Sequence, residues 1–256
     1  MNLGLAGRTY VVGGGSRGLG RAVADTLVAE GARVLLVARD QGSLDEAVSA
    51  LGERAGACAA DLADPGAVAR ISAAVDDLGG ALDGVLVNHG GPPPGEALAL
   101  SDEDWRRSFE LVLGGPIRLL RELRGRFAEG ASIVFVTSST VRAPVPGLDT
   151  SNVLRPGVAG LVKVLARELA PQVRVNGLAP GRFMTERGME VAAAAAADRG
   201  ISVEDQLAEI VAAIPLGRKG DPEELGRLAA FLLSPAASYV TGVNVLVDGG
   251  MVSALP

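Results

Sequence analysis

The stretch Gly13-Gly14-Gly15-Ser16-Arg17-Gly18-Leu19-Gly20 lies between the apolar run Tyr10-Val11-Val12 and an alanine-rich helical pattern. A strand, a glycine turn and a helix N-terminus in that order form the usual cradle for a dinucleotide pyrophosphate. Gly14 and Gly18 let the backbone approach the phosphates, beside Ser16, Arg17 and Leu19, and Gly20 lets the helix pack close to the sheet. Backbone N–H groups and the helix dipole then hold the negative charge. The residue type at the end of the second strand sets the choice of cofactor. A carboxylate there would hold the adenosine ribose hydroxyls. This chain has Ala38-Arg39 instead, and Arg39 and Arg17 are both placed for a 2'-phosphate, which a guanidinium suits. NADP(H) is therefore expected; the bland alternative is two solvated arginines. Asp61-Leu62 either flanks an adenine, with Asp61 accepting from its amino group, or is a plain turn before the next helix.

The elements that must position these residues are legible as alternation. Strand patterns fall at Thr9 to Val12, Arg33 to Val37, Ala57 to Ala60, Leu82 to Asn88, Ser132 to Val136, Val173 to Leu178 and Asn244 to Val247. Helical patterns lie between them, at 18–30, 43–55, from Pro65 with Asp64 as its cap, and from Ser101 with an interruption near Gly114-Gly115-Pro116. Further helices are expected at 156–169 and 222–233, and one or two more within 188–214, where the alanine run 192–197 reads as a lid or a plain surface helix. Pro156 is expected to open its helix, because it lacks an N–H and turns Arg155 away from helical dihedrals. Continuous apolar strands alternating with helices imply an α/β fold, a doubly wound and mostly parallel sheet in three α/β/α layers, Rossmann-like. Such a sheet places ligands beyond the carboxyl ends of its strands.

Composition narrows the function. The chain has 256 residues and 48% hydrophobic content, which suits one domain over 1–256 with a single sizeable core. With 24 basic and 30 acidic residues the net charge is -6, and no strongly basic segment offers itself to nucleic acid. The lone Cys58 and lone His89 leave no internal disulfide and no expected metal site. No apolar stretch near the N-terminus is long enough to span a bilayer, and a cytoplasmic setting is expected.

Several motifs together carry a resemblance. They are the glycine turn, Asp61-Leu62, Asn88-His89-Gly90-Gly91, Thr137-Ser138-Ser139, Arg174-Val175-Asn176, Pro180-Gly181, Pro215-Leu216-Gly217-Arg218, Tyr239-Val240-Thr241-Gly242 and Val247-Asp248-Gly249-Gly250. Over nearly its whole length the chain resembles the short-chain dehydrogenase/reductase family, of the beta-ketoacyl carrier-protein reductase type. The resemblance implies a small-molecule substrate, a homo-dimer or homo-tetramer, and cofactor contacts from Asn88, Gly90 and Thr185; Thr185 also reads as a helix cap before Glu186.

By the resemblance, in the register fixed by Ala166-Arg167-Glu168, the family's catalytic Ser, Tyr and Lys fall on Ser138, Ser151 and Arg155, and its Asn, placed from Trp105 and Gly115, falls on Val112; a shift by one residue puts Asn152 and Pro156 in the Tyr and Lys places and is no better. Only the serine is kept. A phenol near pKa 10 is tuned by a neighbouring ammonium; an aliphatic hydroxyl is a far poorer acid, and a guanidinium does not give up its proton. Arg155 can still bond a ribose hydroxyl or steady an oxyanion. His89, just past the fourth strand, is a ligand, a replacement acid or a satisfied loop residue. The expectation is an NADP(H)-linked oxidoreductase acting on a carbonyl, hydroxyl or conjugated substrate with atypical catalytic residues. The alternative is a cofactor-binding or regulatory homologue without catalysis.

Overall fold

The computed structural model describes residues 2–254. Seven parallel strands form one sheet in the order β3-β2-β1-β4-β5-β6-β7. They are β1 (Thr9–Gly13), β2 (Arg33–Ala38), β3 (Ala55–Ala59), β4 (Leu82–Val87), β5 (Phe127–Val136), β6 (Val173–Pro180) and β7 (Asn244–Val247). The order reverses between β1 and β4, which opens a crevice at the carboxyl ends of those strands.

Period-two alternation divides the core between the two faces. Val11, Val85, Ile133 and Phe135 pack on one side with α3 (Ala67–Asp77), α5 (Gly115–Leu123) and α6 (Asp149–Glu168). Tyr10, Val12, Leu86 and Val134 pack on the other with α1 (Gly18–Ala29), α2 (Gln41–Leu51) and α9 (Pro222–Leu233). This is the doubly wound three-layer α/β/α arrangement expected from the alternation. Among the described residues no helix is long and apolar enough to cross a membrane, and no group of three or more His, Cys, Asp or Glu is placed to hold a metal ion.

Three local expectations need correction, and a fourth, the interruption near Gly114, is met and gains a cause. The helix carrying Arg155 begins at Asp149 and holds Pro156 inside it. Tertiary ties overrule the proline: Asp149 accepts from the Ala97 N–H at 2.9 Å, Thr150 donates to the Pro93 carbonyl at 3.0 Å, and Asn152 donates to the Val145 carbonyl at 2.9 Å. Helix α3 begins at Ala67, after Pro65, because Asp64 turns its carboxylate onto the Gly66 N–H and Arg70 and caps nothing further on. The interruption after α4 (Asp102–Phe109) is a π turn over Glu110–Gly114, closed by the Gly115 N–H on the Glu110 carbonyl, and the helix runs on as α5. Strand β5 starts at Phe127, five residues earlier than its apolar run, since the exposed Glu129-Gly130 pair masks the pattern. Residues 188–214 resolve into two helices, α7 (Glu186–Arg199) and α8 (Val203–Ala212), packed on each other and tied by Arg199 to Gln206 and Glu209.

Candidate functional site

The carboxyl ends of the strands enclose a cavity of about 540 Å³. Its floor is the glycine turn. Gly14 and Gly18 both sit at φ +59°, in the left-handed region that favours glycine. A Cβ on Gly14 would stand 2.6 Å from Asn88 Nδ2, and one on Gly20 only 2.2 Å from the Gly14 carbonyl oxygen. Asn88 Nδ2 donates to the Gly13 carbonyl at 3.1 Å, which fastens the end of β4 to the turn. Helix α1 starts at Gly18 with no side-chain cap and no acidic residue in its first turn, so its leading N–H groups are left for an anion. Gly20→Ala should force α1 off the turn. Overpacking of that kind costs about 1–3 kcal/mol, or a midpoint lower by about 3–10 °C in thermal unfolding followed by circular dichroism. An unchanged midpoint would show that the close approach is not required.

Charged side chains fringe one end of the cavity. Arg17 pairs with Glu186 at 2.9 Å, in the open. Arg39 is exposed and makes no ion pair among the described residues. Its Nη2 lies 3.7 Å from where a Cβ on Gly90 would stand. Asp40 is spent on capping α2 through the Ser43 N–H and hydroxyl, which holds its carboxyl below the usual range. Asp61 accepts from Arg107 at 2.9 Å and from the Ala63 N–H at 3.0 Å. Leu62 is pressed by α5, where a Cβ on Gly115 would stand 2.2 Å from the Leu62 carbonyl oxygen. Thr185 caps α7 through the Gly188 N–H at 3.0 Å and also lines the cavity.

The other end is built by β4, β5 and α6. Arg155 is 7% exposed; its Nη1 donates to the Val136 carbonyl at 2.7 Å, and its Nε is buried without a partner. Burial pushes the guanidinium down to about 10, so it stays cationic at neutral pH. His89 sits beside it, with Nδ1–H donating to the Gly90 carbonyl at 3.1 Å in the neutral form. Desolvation first, and the Arg155 charge second, push its pKa down to about 3. The imidazole is therefore held in its neutral form at neutral pH. Because the folded state binds this proton less readily than the unfolded chain, whose ordinary value is 6.5, stability falls as pH drops through 6.5. The loss has a limiting slope of about 1.4 kcal/mol per pH unit, and it starts above the range where Asp64 and Glu224 begin to titrate. Urea unfolding of His89→Asn between pH 7 and 5 should be flat where the native chain slopes; equal slopes would refute it.

Ser138 and Ser151, expected at the reacting end, do not line the cavity, although Thr137 and Arg155 near them in the chain do. Ser138 accepts from the Thr140 N–H at 3.1 Å, and Ser151 lies 3.4 Å from the Thr140 hydroxyl. Val112 is fully buried in the core. The fold brings Gly14, Ser16, Arg17, Gly18, Leu19, Arg39, Asp61, Leu62, Asn88, Gly90, Thr185 and Arg155 to one cavity. Sequence reasoning passed over Leu111, which the π turn aims into it, and Glu186, Arg187 and Glu190 from the first turns of α7. Their only signal was the position of Thr185 as a helix start.

The family model described as enoyl-(acyl carrier protein) reductase matches residues 14–252. The 3-oxoacyl-[acyl-carrier-protein] reductase of Vibrio harveyi is 32% identical over 251 residues, 96% of this chain and 98% of its own. Dehydrogenase/reductase SDR family member 4 of Caenorhabditis elegans is 30% identical over 259 residues, 96% of this chain and 95% of its own. Among solved structures, L-sorbose reductase from Gluconobacter frateurii, complexed with NADPH and L-sorbose, superposes with a TM-score of 0.93 at 31% identity, covering all of both chains. The glycine cradle, the strand order and these matches agree, and the chain belongs to the short-chain dehydrogenase/reductase family.

Proposed function

We propose that this chain is an NADP(H)-dependent oxidoreductase acting on a small carbonyl, hydroxyl or conjugated substrate, with an active site that works without the family's phenol and ammonium. The observation that carries it is one cavity joining an uncapped α1 N-terminus, an Arg39 without an ion pair among the described residues and a buried cationic Arg155. The residues fit the cofactor: a cradle that any Cβ would fill, and donors without protein partners where its charges would fall. Gly14, Ser16, Gly18 and Leu19 hold the pyrophosphate, Arg39 with Arg17 the 2'-phosphate, Asp61 and Leu62 the adenine, and Asn88, Gly90 and Thr185 the remainder. Bound there, NADPH supplies a hydride equivalent. The relatives described by name as reductases, and the neighbours solved with NADPH, support the same reading.

In this reading the chain's own residues set which proton chemistry is open. Ser138 bonds the substrate oxygen, Ser151 supports it through Thr140, and Arg155 faces the negative charge that collects there. Neutral His89 is no proton donor of useful strength, so the proton comes from water. That arrangement suits conjugated carbonyl compounds, whose oxygen needs a counter-charge more than a phenol. Exposed Phe109, Val153 and Val164 along α4 and α6 support a homo-dimer or homo-tetramer, and a cytoplasmic setting completes the proposal.

The loss of the phenol also favours a second reading, a cofactor-binding homologue without turnover. Fluorescence titration with NADPH and NADH, followed by absorbance assays on a panel of ketones and enones, separates them. Tight NADPH binding with enone turnover supports the first reading, binding without any turnover the second, and no binding removes both.

A further inference from the structure

Resting on that reading, we propose that the β5 end of the cavity is a carboxylate site, and that the substrate is a small oxo acid whose carboxylate is held by Arg155. The argument is one of unmatched charge. Four arginines line the cavity. Arg17 and Arg187 are paired with Glu186 and Glu190, both in the open. Arg39 and Arg155 have no carboxylate partner among the described residues. Arg39 is exposed to solvent, which screens it, and a 2'-phosphate accounts for it. Arg155 is different: it is nine-tenths buried, and it stands at the other end of the sheet crevice, across β1 and β4 from the strand that leads to Arg39.

Nothing near Arg155 neutralises it. Asp61, the carboxylate that His89 senses, is committed to Arg107 and the Ala63 N–H. His89 itself is neutral. Among the described residues the only hydrogen bond that Arg155 makes runs from Nη1 to the Val136 carbonyl, and that uses one of its five N–H groups. Nε is shut in, which leaves both N–H groups of Nη2 and the second of Nη1 for whatever enters the cavity. A buried cation without a counter-charge is costly, and an anion present in the ground state relieves that cost most fully. An oxyanion that exists only during reaction does not relieve it. A planar fork of N–H groups at the edge of a guanidinium matches a carboxylate, and a lysine at the same place would offer a point charge instead.

The test is a matched pair of ligands on the NADP+-saturated protein, read by calorimetry: pyruvate against methyl pyruvate, and acetoacetate against methyl acetoacetate. At least one acid should bind about tenfold or more tighter than its ester, the range of a charge-assisted hydrogen bond. Arg155→Gln should erase that difference and Arg155→Lys should keep part of it. Acids no tighter than their esters on both pairs overturn the site, whether or not the Gln variant folds, because that comparison uses the native chain. Acetate binding as tightly as the oxo acids overturns the assignment to a substrate. Titration of the same samples with NADPH keeps the two readings apart. Failure there removes the cofactor proposal, whereas NADPH binding with no acid preference removes the carboxylate site alone.

Discussion

A double variant, Ser151→Tyr with Arg155→Lys, is expected to reduce a neutral ketone at least about a hundredfold faster in kcat/KM than the native chain. The gain is that of a positioned general acid, typically about 10²–10⁴-fold. The geometry is already present. Helix α6 begins at Asp149, so positions 151 and 155 lie one turn apart on a common face. Position 155 opens on the cavity, and the Ser151 hydroxyl points at the turn that carries Ser138 and Thr140. A phenol placed there beside an ammonium is drawn down from about 10 toward neutrality. Neither single change should match the pair. Arg155→Lys alone restores an ammonium with no acid to tune, and Ser151→Tyr alone sits beside a guanidinium already engaged with the Val136 carbonyl. The measurement is NADPH consumption with ethyl acetoacetate, a neutral ester that does not draw on a carboxylate site. A change below threefold, with NADPH affinity intact, would mean that some other residue is missing from the native site.

The cofactor end was legible in the sequence because it is local. Gly14, Gly18 and Gly20 act through their own backbone within one turn, strand periodicity located the ends that carry Asn88 and Asp61, and the family resemblance pointed to Thr185. Pairings between distant segments left no local trace. Arg107 reaches Asp61 across 46 residues, and Arg17 reaches Glu186 across 169. The start of α6 was misjudged for the same reason. Pro156 is a strong local signal, and the ties of Asp149, Thr150 and Asn152 that outweigh it run to residues 93–97 and 145. His89 shows the limit for electrostatics. Its place after β4 could be read off the chain, whereas its neutral state rests first on desolvation and second on the charge of Arg155, both of which the fold brings about from other elements. The substrate end is therefore the part of this molecule that depends most on contacts between distant segments.

Arg39→Asp should reverse the cofactor preference. A guanidinium on a phosphate makes charge-assisted hydrogen bonds worth about 1.5–3 kcal/mol, and a carboxylate in its place adds repulsion. NADPH affinity should fall about a hundredfold. NADH affinity should rise about tenfold, since a carboxylate after the second strand accepts from both ribose hydroxyls. No protein partner competes for the outcome, because Arg39 makes no ion pair among the described residues and Asp40 is occupied with Ser43. Arg17 is held by Glu186 in an exposed pair of small worth, so Glu186→Gln should tighten NADPH by no more than about fivefold and leave NADH unchanged. Quenching titrations with both nucleotides on the three proteins decide it. If Arg39→Asp leaves the NADPH to NADH ratio where it was, the 2'-phosphate lies elsewhere, and Arg17 becomes the residue that reads it.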